Sequence, residues 1–567
     1  MIPLPVRAGW RASGPAALVS LALALVPLVL AAPTHAQELP RTWQEEQEFR
    51  SGPTPFEPLM EFWYELDEAS ELVSMTPLTR TLLDRELDLV TIAEPAITNP
   101  QDALRSGKTI VLLAPSVHGG EVSPKEAVQL VARELVGGEL RPLLEDVIVL
   151  AIPLVNPDGG EVRRRTNEAG YDMNRDYVKL ESQEIRALVT QVMNEWTPDI
   201  HVDGHHGGSP PYVITYQGTL NPAADDALRD WPYENLFPRI REKVAEEGYQ
   251  AFDYSGVRTV NGERGWGSTS VEPRKHHVYT GLTNSIGILL ETPNARTLVR
   301  GGELEPIPEE ERYYHQIRGG VLATTAILEV AAERREEIRA LTTASRLRAV
   351  EAGMDGTDPV VLDYELTSRG TEPVWMPVEG EEGAYELRDV PVFLRWEATR
   401  TTDRPVGYLL PPAMAGVVPL LQDHDIDVYR FRAPASLDAE VYHATRVRTE
   451  DFFQGHYLKS VEAEKSEETV EVVPGWFWIP TAQSRGRLVT YLFEPETDDN
   501  LITWGWADHV LRVTEGDGAD EPDEDEEEEL QRVPMIRVME HQPLPVVEVQ
   551  PFNEYQRNRF YRPYDGG

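Results

Sequence analysis

Six consecutive residues, Thr109 to Ala114 (TIVLLA), constrain the fold of this chain most. A short unbroken apolar run suits a β-strand covered on both faces, because polar alternation disappears when neither face meets water. A segment with helical spacing follows, Ser123 to Leu135, opened by Ser123-Pro124. Asp146 to Leu154 reads as the next strand, Ser182 to Trp196 as a helix, and Pro198 to Val202 and Ser285 to Leu290 as further strands. Strands alternating with helices predict an α/β domain: a mixed, largely parallel sheet flanked by helices, with its binding site at the carboxyl ends of the strands. The pattern spans residues 54–340 and closes on a long helix over Val321 to Ala340.

Beyond Asp355 the texture changes to short β-rich runs separated by Pro and Gly, among them Val374 to Pro377, Val428 to Arg432 and Arg487 to Phe493. Residues 355–514 are expected to form a smaller all-β domain, a sandwich. Residues 515–530 are acidic and of low complexity, a disordered composition. No structure is assigned to the tail, residues 531–567.

At the other end, Arg7 and Arg11 precede an apolar run from Ala16 to Ala32, and Thr34-His35-Ala36 supplies small residues at a cleavage site. Residues 1–36 therefore read as a signal peptide. The run is short for a bilayer span and holds Pro27, so the mature protein is expected outside the cytoplasm, secreted or periplasmic, with no membrane attachment. Residues 37–53 form a lead-in, and no inhibitory pro-segment is expected there.

The chain has 567 residues and no cysteine, so any metal must be held by His, Asp or Glu. Its net charge of −43 would repel phosphate and argues against nucleic acid as a partner.

His118-Gly119-Gly120-Glu121 follows the buried strand. A His and a carboxylate three residues apart on a tight turn can reach one cation, although such a pair alone is a weak signal. Downstream lie Asn156-Pro157-Asp158-Gly159, three arginines at 163–165, Asp172-Met173-Asn174-Arg175-Asp176, His201 on a strand, and Glu291 ending an apolar strand. Singly these read as a turn, a solvated patch, a core histidine and an exposed acid.

In this order, over residues 54–331, they resemble the zinc carboxypeptidase family, the carboxypeptidase A-like metallopeptidases. The resemblance implies one Zn2+ per chain, held by His118, Glu121 and His201, with Asp172 on the far nitrogen of His118. It implies that Asn174 and Arg175 grip a terminal carboxylate and that one of Arg163, Arg164 and Arg165 polarises the scissile carbonyl, Arg163 first and Arg164 nearly as good. Glu291 would be the general base, and Tyr279 the nearest candidate for a substrate-binding tyrosine. His205 shares a strand face with His201 and is its main rival as third ligand.

The function implied is zinc-dependent hydrolysis of peptides with a free carboxylate, releasing C-terminal residues. On the same fold a deacylase, a peptidoglycan-peptide hydrolase or a non-catalytic binding protein remains open. No GxSxG elbow supports a serine esterase, and no HExxH supports another zinc-peptidase class.

Overall fold

The computed structural model describes residues 39–293, 298–302, 304–381, 383–514 and 530–550. The leader, residues 1–36, lies outside them, as does nearly all of the acidic stretch.

Among the described residues ten strands precede position 294: β1 (Val73–Arg80), β2 (Glu86–Ile92), β3 (Thr109–Pro115), β4 (Val147–Ala151), β5 (Ile200–Gly208), β6 (Ile214–Gly218), β7 (Ala251–Asp253), β8 (Gly256–Val260), β9 (Glu263–Gly267) and β10 (Ile286–Pro293). Eight of them form one sheet in the order β1-β2-β4-β3-β5-β10-β6-β7. Its middle, β4, β3, β5 and β10, is parallel; β2, β6 and β7 run against it, and β1, antiparallel to β2, runs with it.

Strand β3 shows why the sheet is central. Ile110, Leu112 and Ala114 enter the hydrophobic cluster on one face, and Val111 and Leu113 the cluster on the other. Burying one such side chain fully is worth about 1.5–3 kcal/mol, and the one polar residue of the strand, Thr109, donates its hydroxyl to Ala331 O at 3.0 Å. Helices Ser123–Gly137 and Arg312–Glu333 cover one face through Val128, Val131, Leu135, Ile317 and Ile327. The helical segment from Gln183 to Trp196 packs on the other through Ile185, Leu188 and Val192. The closing helix expected from Val321 is two helices, Arg312–Glu333 and Arg335–Asp355, that meet at Arg334.

The mixed α/β sheet is followed by β-rich sheets. Strands Thr371–Pro377 and Tyr385–Phe393 extend the β8–β9 hairpin into a four-stranded sheet, with Val392 opposite Trp266. A second, eight-stranded antiparallel sheet is built around the long hairpin Ala435–Phe453 and His456–Val472. Tail strands Ile536–Val538 and Val546–Glu548 join it, although no structure was expected after residue 531. Arg487 to Phe493, read as a strand, is a helix, Gly486–Phe493. Its β-branched and aromatic residues favour a strand locally, but all eight are buried, and tertiary packing overrides that preference.

The two regions are joined by buried polar contacts. Tyr279 Oη and His424 Nδ1 lie 2.8 Å apart, Arg485 donates to Thr283 O at 3.0 Å, and Arg274 pairs with Asp499 at 2.9 Å. Calorimetry of the chain should therefore show one unfolding transition spanning both regions. Two well-separated transitions would mean that the β-rich part folds independently.

Candidate active site

The site lies where β3 and β5 end. Past Pro115, Ser116 takes a positive φ of 60°, and its hydroxyl donates to Glu121 O at 2.6 Å. The amide of Glu121 donates to His118 O at 2.9 Å, closing the turn. Gly119 is required by close approach: a Cβ there would sit 2.1 Å from the backbone of Gly159. That backbone belongs to helix Pro157–Val162, whose cap, Asn156, accepts from Gly159 N at 2.9 Å and donates to Val117 O at 3.1 Å. The Asn-Pro-Asp-Gly stretch is thus the brace behind the turn.

His118 Nδ1 lies 2.8 Å from Glu121 Oε1. His205 Nδ1 lies 2.8 Å from Glu121 Oε2 and 3.0 Å from His118 Nδ1. Among the described residues these three form the one group whose ligand atoms all fall within 4.8 Å of one another. Both far nitrogens meet carboxylates: His118 Nε2 lies 2.9 Å from Asp172 Oδ1, and His205 Nε2 lies 2.8 Å from Asp203 Oδ1. A carboxylate on Nε2 keeps the proton there and leaves the Nδ1 lone pair free. Two lone pairs and a carboxylate directed at one point repel unless a cation lies between them. Two imidazoles, one carboxylate and no thiolate match a catalytic zinc set.

Without an ion, protons take part of its place. Burial would raise the Glu121 carboxyl, but His205 and His118 outweigh it and hold it well below the usual range. Asp172 is likewise held down, against burial, by His118 and then Arg175 and Arg165. Burial depresses His205, and Asp203 with Glu121 overcomes this and raises it.

His201 does not reach this point. The register sets Leu112 beside His201 and Pro115 beside Gly204, so the residue level with the turn after β3 is His205. His201 sits four residues back along the strand, about 13 Å deeper in the sheet, with Nδ1 3.4 Å from His276 Nε2. Burial, then His276, lowers its pKa well below the ordinary value.

Glu291 stands opposite His205 in the parallel register and lines the same cleft. Its Oε2 is buried with no hydrogen-bond partner among the described residues. A Cβ at Gly207 would sit 2.8 Å from that oxygen, so glycine keeps the space before it open. Burial first, with Glu121 and Asp203 adding to it, pushes the Glu291 carboxyl up to about 8.

The cleft, about 330 Å³, is also lined by Arg165, Arg175, Arg258 and Lys275, four cations in a chain of net charge −43. Arg165 donates to Asp172 Oδ2 at 2.9 Å and Glu121 Oε1 at 3.4 Å. Arg163 is not among the lining residues: it caps helix Pro157–Val162 at φ 55° and is exposed. Two residues further on, Arg165, itself half exposed, reaches the rim of the cleft. Asn174 lines the cleft with its groups engaged: its amide nitrogen lies 3.2 Å from Asp203 Oδ2 and 3.0 Å from His205 Nε2, and its oxygen accepts from His276 N. Tyr279 does not line the cleft, because its hydroxyl is buried against His424. Tyr254, which follows β7, does line it. Neither Tyr254 nor Asp203 was singled out from sequence. Spacing from His205 could have marked Asp203; nothing local marks Tyr254.

The zinc carboxypeptidase family model matches residues 59–221. This part of the chain is a zinc carboxypeptidase domain. The match holds His118, Glu121, Asp172, Asn174, Arg175 and His205, and ends before Tyr254 and Glu291. Metallopeptidase activity follows from the family, and the protein is a hydrolase. The chain is similar to "Carboxypeptidase 2" of Trichophyton rubrum, 22% identical over 452 residues that cover 74% of this chain and 77% of that protein. The protein of the same name from Trichophyton tonsurans is 23% identical over 442 residues, 73% and 76% of the two chains. Among solved structures, a metallo-carboxypeptidase from Pseudomonas aeruginosa overlaps 51% of this chain and 70% of its own, at 21% identity and TM-score 0.38. One from Burkholderia cenocepacia overlaps 49% and 69%, at 22% identity and TM-score 0.38.

The Glu291 carboxyl makes a signed prediction for the metal-free protein. Its folded pKa lies above its unfolded value, so the stability it contributes is complete below about pH 4.5 and lost as pH rises through about 8. Glu291→Gln should stabilise the metal-free protein at pH 9 by about 2 kcal/mol or more and leave it unchanged at pH 4. Denaturant melts at the two pH values measure this; equal effects at both would contradict the burial argument.

Proposed function

We propose that this protein is an exported zinc carboxypeptidase that releases residues from the C-termini of peptides. The observation that carries the reading is the convergence of His118 Nδ1, Glu121 and His205 Nδ1 beside a buried, unpartnered Glu291 carboxylate in a cation-lined cleft. A zinc ion held by these three residues supplies Lewis acidity, polarising a carbonyl and making water a stronger acid.

The chain's own residues do the rest. Glu291 Oε2 accepts a proton from the attacking water as the new C–O bond forms. It returns the proton to the leaving nitrogen as the C–N bond breaks. Arg165 stands where charge develops on the carbonyl oxygen. Arg175, with Arg258 and Lys275 beside it, receives the terminal carboxylate, since a guanidinium meets a carboxylate with two parallel bonds. Asn174 positions His205 and Asp203 rather than gripping substrate. Among the described residues no helix is long and apolar enough to cross a membrane. Export rests on the leader, and N-terminal sequencing of the mature protein should begin near Gln37.

Released amino acids should be followed from matched peptides with free and amidated C-termini. The free peptide should be trimmed and the amidated one spared. Glu291→Gln should keep its zinc and lose about 10²–10⁴ in kcat. Equal cleavage of both peptides would refute the carboxylate reading. A zinc-loaded protein that trims neither would move the substrate to acyl-amino acids or peptidoglycan peptides.

A further inference from the structure

The long hairpin of the β-rich region ends on the active-site loop. Its strands pair from Ala435 with Val472 out to Phe453 with His456, leaving a two-residue turn, Gln454-Gly455. Both turn residues have positive φ, 50° and 85°. Tight hairpin turns of this kind favour Asn or Asp before Gly, and a glutamine with positive φ is uncommon. The side chain explains the choice. Gln454 Oε1 accepts from the backbone N–H of Asp172 at 2.9 Å, a contact that asparagine, one methylene shorter, cannot span from the same turn.

Asp172 is the residue that holds His118. Its Oδ1 meets His118 Nε2 and accepts from Asn174 N at 3.0 Å, and its Oδ2 accepts from Arg165. The segment from Tyr171 to Glu181 carries Asp172, Asn174 and Arg175 but has only a three-residue helical turn of its own. Such a segment depends on outside partners for its shape.

The hairpin tip is itself anchored. His456 Nε2 lies 2.7 Å from Glu181 Oε1, and Phe453 packs under the Arg274 guanidinium, 5.5 Å away. Arg274 and Lys179 both lie over Trp504, at 5.2 and 4.9 Å.

We propose that Gln454 is a positioning residue of the metal site, acting through Asp172 on His118, so that the β-rich region completes the site it overlies. This rests on the zinc reading above. Gln454→Ala removes the acceptor. Gln454→Asn improves the turn and withdraws the acceptor, so a role confined to turn stability would leave it at least as good as the parent.

The test is hydrogen exchange of the metal-free full chain, followed by zinc affinity in competition with a chelator. Both variants should speed exchange at the Asp172 amide and weaken zinc binding about tenfold, as loss of an outer-shell support does. Tyr457→Ala, at an exposed position beside the tip, should change neither. Unchanged exchange in both variants, or faster exchange with unchanged affinity, overturns the proposal. So does an asparagine variant that matches the parent. A parent protein that binds no zinc refutes the zinc reading itself, and the exchange result on metal-free protein tells the two failures apart.

Discussion

Two imidazole lone pairs and a carboxylate directed at one small volume repel each other, and the site around His118, Glu121 and His205 is organised by that constraint. Asp172 and Asp203 sharpen it, because each holds a proton on the far nitrogen and keeps the near one free. Neither imidazole can relieve the crowding by turning over, since each would lose a buried hydrogen bond to a carboxylate. Without a metal ion the raised pKa of His205 lets a proton sit between it and Glu121; a divalent cation would take that proton's place and meet all three groups at once.

The sheet sets where the three groups meet. Parallel β3 and β5 end side by side, and the turn after β3 needs two glycines to pass under the Asn156-capped helix. Glu291 arrives from β10 on the other side of β5, level with His205. His118, Glu121, His205 and Glu291 therefore sit at or just past the carboxyl ends of strands whose apolar residues are buried on both faces. The stability of the core and the precision of the site come from the same three strands.

Much of this was legible in the chain. TIVLLA identified the central strand because burial on both faces leaves no polar alternation. His118, Glu121 and Asp172 were singled out because their motifs, in order with the later ones, resemble the family, and the structure brings the three together. His201 was preferred because Asp199-Ile200-His201 resembles the family's strand; His205 shares its face, and periodicity cannot say how far along β5 the neighbouring turn reaches, which only the register does. Arg163 was ranked ahead of Arg164 and Arg165 because three adjacent arginines have no internal signal; of the three only Arg165 lines the cleft, and Arg163 has a left-handed φ. Glu291 was legible as an acid ending an apolar strand, whereas its raised pKa depends on burial beside Glu121 and Asp203. The role of Gln454 was not legible, since its partner lies 282 residues away.

The central claim is the ligand set, and zinc K-edge X-ray absorption on the zinc-loaded protein tests it most directly. The account predicts two imidazoles with oxygen ligands in the parent and in His201→Ala, and one imidazole in His205→Ala. One imidazole in His201→Ala and two in His205→Ala would contradict it, and would return the third ligand to His201.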